Sequence, residues 1–233
     1  MQEKQLLVLQ HIACEGLGSL EDFFKEKKLL CDYRQLSDGD SVPKDLKGYR
    51  ALILLGGPMN VYEEEKYSYL RQEDELLKIA LDMDFPTLGV CLGAQLIAKN
   101  LKVPVTQGNQ KEIGWYSIDL TNQGKKDPLF HNLPNQFHVF QWHGDTFDIP
   151  SEGSHLAASL IFPHQAFRFG RNIYGLQFHV EITEAMIQDW VRTYTEEKID
   201  SKKILQETNI FLEDLEKVSR KIYHNLWDIW NSS

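Results

Sequence analysis

The sequence predicts an α/β protein, a three-layer sandwich in which a mostly parallel central sheet lies between helices. Over the first hundred residues, short apolar segments alternate with segments of helical periodicity, as in parallel sheets whose strands are joined by helices. The middle of the chain instead holds short apolar segments separated by turn residues, which indicates a mixed or antiparallel extension of the same sheet. No repeat, low-complexity tract or Gly/Ser-rich linker interrupts the 233 residues, so a single domain is expected.

The parallel part of the sheet is predicted from the first hundred residues. Apolar segments expected to form strands cover residues 5–11, 31–36, 51–55 and 85–90. Apolar residues recur at helical spacing over residues 17–30, 67–83 and 92–101. Glycine-bearing turns follow the third and fourth strands, at 56–57 and 89–93. Because ligands bind beyond the carboxyl ends of parallel strands, we expect both turns to face one crevice.

The rest of the chain is predicted to extend this sheet and then to become helical. Short strands are expected over residues 113–120, 137–142, 156–162, 165–169 and 173–179. Helices are expected from residue 183 onward. The long amphipathic segment 204–230 should pack Trp227 and Trp230 back on the domain. We divide the single domain, residues 1–233, into a core of about 1–196 and a C-terminal helical segment of about 200–231.

Composition and charge exclude several classes of function. With 25 basic and 34 acidic residues, the net charge is −9, which argues against a nucleic-acid surface and leaves no basic cluster for a membrane. No apolar run approaches the roughly 20 residues of a membrane span, and residues 1–5 lack the features of a signal peptide. Cys14, Cys31 and Cys91 form no disulfide framework, and their odd number suits the reducing cytoplasm. None shows zinc-ligand spacing, so we expect no metal.

Cys91 lies between Gly89 and Gly93 at the predicted junction of a strand and a helix. A nucleophile at such a junction sits on a sharp turn with an unfavourable backbone conformation, and its crowded neighbours are best as glycine. The helix N-terminus would favour the thiolate. The alternative is a buried cysteine that acts only as a small apolar residue.

His179 and Glu181 are the best candidate partners for this thiol. Side chains at i and i+2 of an extended segment point to the same side, so the carboxylate can orient the imidazole and stabilise its protonated form. The alternative is a strand-end histidine beside a solvated glutamate. The two residues are far from Cys91 in the sequence, so only the fold can bring the three together.

Three separated motifs closely resemble the class I (triad) glutamine amidotransferases. They are Gly-Val-Cys-Leu-Gly-Ala-Gln at 89–95, Gly-Gly-Pro at 56–58 and Gly-Leu-Gln-Phe-His-Val-Glu at 175–181. The likeness covers roughly residues 50–185 and is nearest to the amidotransferase domain of GMP synthases. It implies the fold of that family and a Cys-His-Glu triad. In that triad Cys91 is the nucleophile, His179 the general acid and base, and Glu181 the residue that orients it.

The resemblance also implies how glutamine is bound. The oxyanion of the tetrahedral intermediate would accept hydrogen bonds from the backbone N–H groups of Leu92 and Gly57. The implied substrate contacts are Gly57, Gln95, Trp142, Gly144 and Asp145. The alternative for the 142–145 segment is a strand end with an aromatic packing residue. No cofactor is implied.

One position departs from the family pattern, and three further histidines have no role in it. Val180 stands where the family usually has proline between histidine and glutamate, so we expect the turn to survive with somewhat more freedom. We interpret His138, His143 and His164 as structural or surface residues.

Three functions are compatible with the sequence. The first is a glutaminase that supplies ammonia to a separate synthase, because about 50 residues after the triad leave no room for a synthase domain and no phosphate-binding glycine loop is present. The second is a free-standing γ-glutamyl peptidase or hydrolase with the same triad. The third is a scaffold or regulator whose cysteine is idle, which predicts a triad that does not assemble.

Overall fold

Nine strands form one mixed sheet in the computed structural model, which describes residues 5–194 and 199–232. In chain order the strands are β1 (Gln5–Gln10), β2 (Cys31–Gln35), β3 (Tyr49–Leu54), β4 (Thr87–Val90), β5 (Val105–Leu120), β6 (Gln136–Phe147), β7 (Ser154–Ser159), β8 (Ala166–Phe169) and β9 (Ile173–Leu176). The order across the sheet is β2-β1-β3-β4-β9-β8-β7-β5-β6.

The sheet has a parallel and an antiparallel part that meet at β9. The five strands from β2 to β9 in the spatial order are mutually parallel. The remaining four, β8, β7, β5 and β6, pair antiparallel with their neighbours. The predicted α/β class, with a largely parallel sheet and an antiparallel extension, is confirmed.

Five α-helices cover the sheet in the described ranges. The alternation of side chains along the strands explains why helices pack on both of its faces. The helices are α1 (Ser19–Glu26), α2 (Tyr69–Asp82), α3 (Leu92–Asn100), α4 (Glu184–Thr193) and α5 (Ser201–Asn231). In β1, Leu6 and Val8 enter one apolar core with side chains of α1, α4 and α5. Leu7 and Leu9 enter a second core with side chains of α2 and α3. The period of two along the strand thus places helices on both faces.

The C-terminal helix α5 packs back on the sheet, as predicted. Leu226 and Trp230 are buried in the first core, and the Trp230 indole donates a hydrogen bond to the carbonyl of Asn172 (3.1 Å). Trp227 is half-buried, with the Arg50 guanidinium 4.5 Å from its ring centre. The predicted extent of one domain, 1–233, stays a prediction. Its boundary near residue 196, like residues 1–4, lies outside the described residues.

Some predicted boundaries are wrong for identifiable reasons. The helix expected over residues 17–30 covers only α1, because Lys28 takes a left-handed conformation (φ 56°) that ends it. The strand expected over residues 137–142 continues to Phe147, since its pairing with β5 extends to a pair between Phe147 and Val105. No helix among the described residues is long and apolar enough to cross a membrane.

The strand expected over residues 173–179 ends three residues early, at Leu176. From there the backbone leaves the ladder with β4. The N–H of Gln177 bonds to the carbonyl of Gln165 (2.8 Å), and that of His179 bonds to the carbonyl of Phe140 in β6 (2.9 Å). His179 is therefore held by an isolated bridge to β6. Through this bridge β6, the last strand in the order across the sheet, contacts the segment that follows β9.

Candidate active site

Cys91 occupies a strained turn between β4 and α3. Its backbone has φ 51° and ψ −107°, a conformation that non-glycine residues rarely adopt. A Cβ at Gly89 would lie 2.5 Å from the carbonyl carbon of Gly93, and one at Gly93 would lie 2.2 Å from the carbonyl oxygen of Leu54. Both distances are shorter than any normal contact, so the turn requires glycine on each side, as the sequence predicts.

The sulfur of Cys91 is almost enclosed, with 6% of the residue exposed. Its Sγ lies 3.9 Å from the carbonyl oxygen of Trp142. The side-chain amide of Gln177 donates a hydrogen bond to it from 3.6 Å. Gln95 continues this chain, since its Nε2 donates to Gln177 Oε1 (3.1 Å) and to the carbonyl of Asp145 (3.2 Å).

His179 and Glu181 form a buried pair beside Cys91. Their Nδ1 and Oε1 atoms are 2.6 Å apart, and the Trp190 ring packs edge-on against the imidazole with centres 4.8 Å apart. Burial lowers the pKa of His179, but the charge of Glu181 and the neighbouring Cys91 sulfur raise it, and the net pKa is well above its usual value. Its Nε2 has no hydrogen-bond partner of normal geometry among the described residues.

Hydrogen bonds to its backbone carbonyls fix the segment in which Val180 replaces the proline of the family. The hydroxyl of Tyr223 in α5 donates to the carbonyl of Val180 (2.8 Å). The N–H of Ser19, at the start of α1, donates to the carbonyl of Glu181 (2.9 Å). Two helices thus hold the turn that a proline ring would otherwise restrict.

The glycine turn after β3 lies on a buried ion pair. His11 has Nδ1 at 3.1 Å from the carbonyl oxygen of Gly56 and Nε2 at 3.0 and 3.1 Å from the two carboxylate oxygens of Glu73. Because both ring nitrogens face oxygen atoms, a protonated His11 can donate to each. Burial lowers the pKa of His11, but Glu73, the Gly56 carbonyl and Glu15 together raise it more, so the net pKa is raised. In the same turn, a Cβ at Gly57 would lie 3.1 Å from Leu92 Cδ2, so the turn lies close to the start of α3.

A third buried histidine, His143, lies in the wall of the site next to Asp145. His143 has Nδ1 at 2.9 Å from the carbonyl of Asp145 and Nε2 at 3.1 Å from Glu112 Oε2. The carboxylate of Asp145 accepts a hydrogen bond from the Tyr62 hydroxyl (3.1 Å). His143 itself lines the cleft beside Cys91, and its interpretation as a structural or surface residue stays a prediction.

These elements surround a cleft of about 290 Å³. Six predicted residues line it: Gly57, Cys91, Gln95, Trp142, Gly144 and Asp145. Trp142 also packs against Trp190 and Tyr194, so it fits both of its interpretations. His179 and Glu181 lie behind the lining, and the Leu92 side chain is buried. The structure brings the predicted residues together, and their chemical roles stay predictions.

Sequence reasoning missed several polar residues of the site. Gln177 lies two residues before His179, so the same alternation that linked His179 to Glu181 could have found it. His11 and Glu15 follow β1 at the carboxyl edge of the sheet, where ligands bind, and Glu15 lines the cleft. Tyr194 also lines it, but no local pattern marks a tyrosine after α4. The described ranges hold no group of three or more side chains that could bind a metal ion.

Fold and site together define a class: an α/β protein with a cysteine on a strand–helix turn beside a buried histidine–glutamate pair. The chain belongs to the family described as glutamine amidotransferase class-I, whose model matches residues 24–188. The resemblance is thereby confirmed, and membership of this family implies a glutamine-hydrolysing enzyme.

Three relatives illustrate the extent of the similarity. The glutamine amidotransferase-like protein YfeJ of Salmonella typhimurium is 28% identical over 195 residues, 82% of each chain. The crystal structure of a glutamine amidotransferase from Thermotoga maritima is 35% identical with a TM-score of 0.87, covering 97% of this chain and 99% of that one. A GMP synthase of Borrelia garinii is 36% identical over 141 residues, 60% of this chain but only 25% of the synthase. The chain therefore spans about a quarter of the GMP synthases that it matches.

Proposed function

We propose that the protein hydrolyses the side-chain amide of glutamine, with Cys91 as nucleophile, His179 as general acid and base, and Glu181 as the residue that orients His179. One observation carries this proposal: Cys91, on its strained turn at the cleft, lies beside the buried His179–Glu181 pair. The raised pKa of His179 supports an imidazolium that can pair with a thiolate. An idle scaffold, for which the triad would not assemble, is not supported by this arrangement.

The proposed reaction has two stages. The Cys91 thiolate adds to the amide carbon, and the oxyanion accepts hydrogen bonds from the backbone N–H groups of Leu92 and Gly57. Each such donor typically contributes about 3–4 kcal/mol to lowering the barrier. The C–N bond then breaks as His179 gives its proton to the nitrogen, which leaves ammonia and a γ-glutamyl thioester. In the second stage His179 takes a proton from water, which hydrolyses the thioester to glutamate.

The glutamate half of the substrate would be held by the walls of the cleft. Gln95 and Asp145 share one wall through the hydrogen bond between them, and the Asp145 carboxylate suits an ammonium group. Trp142 and Gly144 line the same region. We propose that these residues, with Gly57, contact glutamine.

We propose that the ammonia passes to a separate synthase. The support comes from the GMP synthases, which the chain matches over about a quarter of their length. The cytoplasmic location predicted from cysteine usage also stays a prediction.

A γ-glutamyl peptidase, from which an amino acid would leave in place of ammonia, is the second candidate. The chemistry at Cys91 would be the same up to the leaving group.

A comparison of two substrates with the purified chain tests these proposals. We expect ammonia release from glutamine, with a rate that rises when an acceptor synthase is present, and no release by Cys91→Ala. A higher kcat/KM for γ-glutamyl dipeptides than for glutamine, measured as free amino acid, would establish the second candidate instead. Hydrolysis of neither substrate, with or without a synthase, would contradict both.

A further inference from the structure

A second carboxylate, Glu15, lies in the same cleft as Cys91 and is not used by the proposed mechanism. The residue is 7% exposed and lines the cleft together with Tyr194. Its Oε1 accepts a short hydrogen bond (2.6 Å) from the Tyr194 hydroxyl. Its Oε2 accepts no hydrogen bond from the described part of the chain, so this oxygen can serve a ligand.

The free oxygen of Glu15 lies close to the imidazole of His179. A Cβ placed on Gly56 would be 2.2 Å from Glu15 Oε2 and 3.1 Å from His179 Cε1, so the two atoms border the same small space beside Gly56, and no side chain fits there. Cε1 is bonded to Nε2, the nitrogen that faces the substrate in the proposed mechanism. A leaving group bound at Nε2 can therefore also approach Glu15 Oε2.

The single positive charge of a protonated His179 is shared among several negative groups, so it neutralises the Glu15 carboxylate only in part. Glu181 already holds Nδ1, and the proposed thiolate of Cys91 would share the same single positive charge. Burial raises the pKa of Glu15, and His179 and the Tyr194 hydrogen bond offset this only in part, so the net pKa is raised. A buried carboxylate with one unbonded oxygen is best satisfied by an N–H donor, and the scissile amide brings such donors to this position.

We propose that Glu15 Oε2 accepts a hydrogen bond from the leaving nitrogen of the scissile amide, and that Glu15 thereby selects amides over other γ-glutamyl compounds. As the C–N bond breaks, the nitrogen takes its proton from His179 Nε2 and keeps its other substituents. Glu15 gives and takes no proton. It stabilises the positive charge that builds on the protonated nitrogen. This inference rests on the proposed function and adds a specificity-determining residue to it.

Tyr194 is the positioning residue of this arrangement. Its hydroxyl fixes Oε1, which leaves Oε2 as the oxygen that accepts no hydrogen bond from the described residues. Removing the hydroxyl keeps the charge of Glu15 but loses its orientation. Tyr194→Phe should therefore produce the same substrate preference as Glu15→Gln, but with a smaller change.

The test compares two substrates that share the glutamate half and differ in the leaving atom. Glutamine releases ammonia, whereas the γ-methyl ester of glutamate releases methanol, and the ester has no N–H to donate at the scissile bond. Both give the same thioester on Cys91. For Glu15→Gln we expect kcat/KM with glutamine to fall on the order of 10- to 100-fold, the effect of one hydrogen bond to a charged group. With the ester it should stay unchanged or rise, because the carboxylate repels the leaving oxygen.

Glu26→Gln is the matched control, because it removes the same charge from an exposed pair with Arg220 and should change neither substrate. An equal loss with both substrates would overturn the inference and place Glu15 on the glutamate half or on the Cys91–His179 pair. No change with either would overturn it too. If the wild-type protein hydrolyses neither substrate, the proposed function itself fails, and the inference fails with it.

Discussion

At the scale of residues, the cleft is built on buried histidine–glutamate pairs that each fix a different part of it. The three pairs are His179–Glu181, His11–Glu73 and His143–Glu112. In each pair one ring nitrogen meets a carboxylate. The other nitrogen of His11 and of His143 faces a backbone carbonyl next to or within the cleft lining, and that of His179 has no hydrogen-bond partner of normal geometry among the described residues. A buried charged pair is costly to form but even more costly to break by removing one partner. The geometry of the site therefore depends on these pairs.

Glu181→Gln should separate orientation of His179 from binding. The carboxylate raises the pKa of His179, so its removal lowers that pKa, although Glu15 remains nearby. The alkaline limb of the kcat/KM profile, where the imidazolium is lost, should then move to lower pH. At neutral pH kcat should fall by roughly 10²- to 10⁴-fold, as for the orienting residue of other triads, with little change in KM. Steady-state kinetics across pH would measure both effects, and an unchanged limb would argue against the role of Glu181.

Glu73→Gln tests whether the His11–Glu73 pair holds the glycine turn at Gly56. The pKa of His11 is raised in the folded state, so the pair stabilises the fold fully below pH 6.5 and less as pH rises through the raised pKa. We expect the variant to lose about 3 kcal/mol of unfolding free energy at pH 6, with a smaller loss at alkaline pH, and to lose kcat more than KM. Denaturant unfolding at several pH values measures this.

The exposed pair of Lys25 and Glu21 offers the control for that experiment. Glu21→Gln should change the unfolding free energy by less than about 1 kcal/mol at any pH. If Glu73→Gln behaves like Glu21→Gln, the buried pair does not support the turn.

At the scale of elements, the junction of β4 and α3 is the most constrained part of the fold. Gly93→Ala should place a methyl group 2.2 Å from the carbonyl oxygen of Leu54, which only a backbone shift can relieve. We expect a loss of at least the roughly 1–3 kcal/mol typical of overpacking, measured by thermal or denaturant unfolding. Gly16→Ala is the control, since its methyl group would meet nothing closer than 3.6 Å. Equal stability of the two variants would contradict the crowding argument.

The junction could be predicted from sequence because its determinants are local. The two glycines around Cys91 reflect contacts within a few residues and with the adjacent strand. The pair of His179 and Glu181 is also local, although the strand expected to carry it ends at Leu176. Its true support, the bridge to Phe140, depends on a strand that is remote in sequence.

Glu15 and Tyr194 could not be predicted in the same way. They meet through a hydrogen bond between residues 179 positions apart, and each is an ordinary polar residue in its own segment. The same holds for Glu73, which lies on α2 among other acidic residues and contacts His11 only in the folded chain. Local patterns thus predicted the reacting group, whereas the residues that tune it depend on tertiary packing.

At the scale of the whole molecule, the cleft lies where the two parts of the sheet come together. The parallel part supplies the turn with Cys91 and the glycine turn after β3. The antiparallel part supplies Trp142 and Asp145 on β6, which the bridge to His179 brings back over the end of β9. The parallel strands therefore supply only part of the site, and the antiparallel extension supplies the rest.

Covalent labelling of Cys91 tests the central claim most directly. Burial raises the pKa of Cys14 and raises that of Cys31 to about 11, so neither should react as a thiolate near neutral pH. A diazo-ketone analogue of glutamine, followed by peptide mass spectrometry, should modify Cys91 alone, and added glutamine should protect it. Modification of Cys14 or Cys31 instead, or of no cysteine, would contradict the assignment of Cys91 as the nucleophile of a glutamine-hydrolysing site.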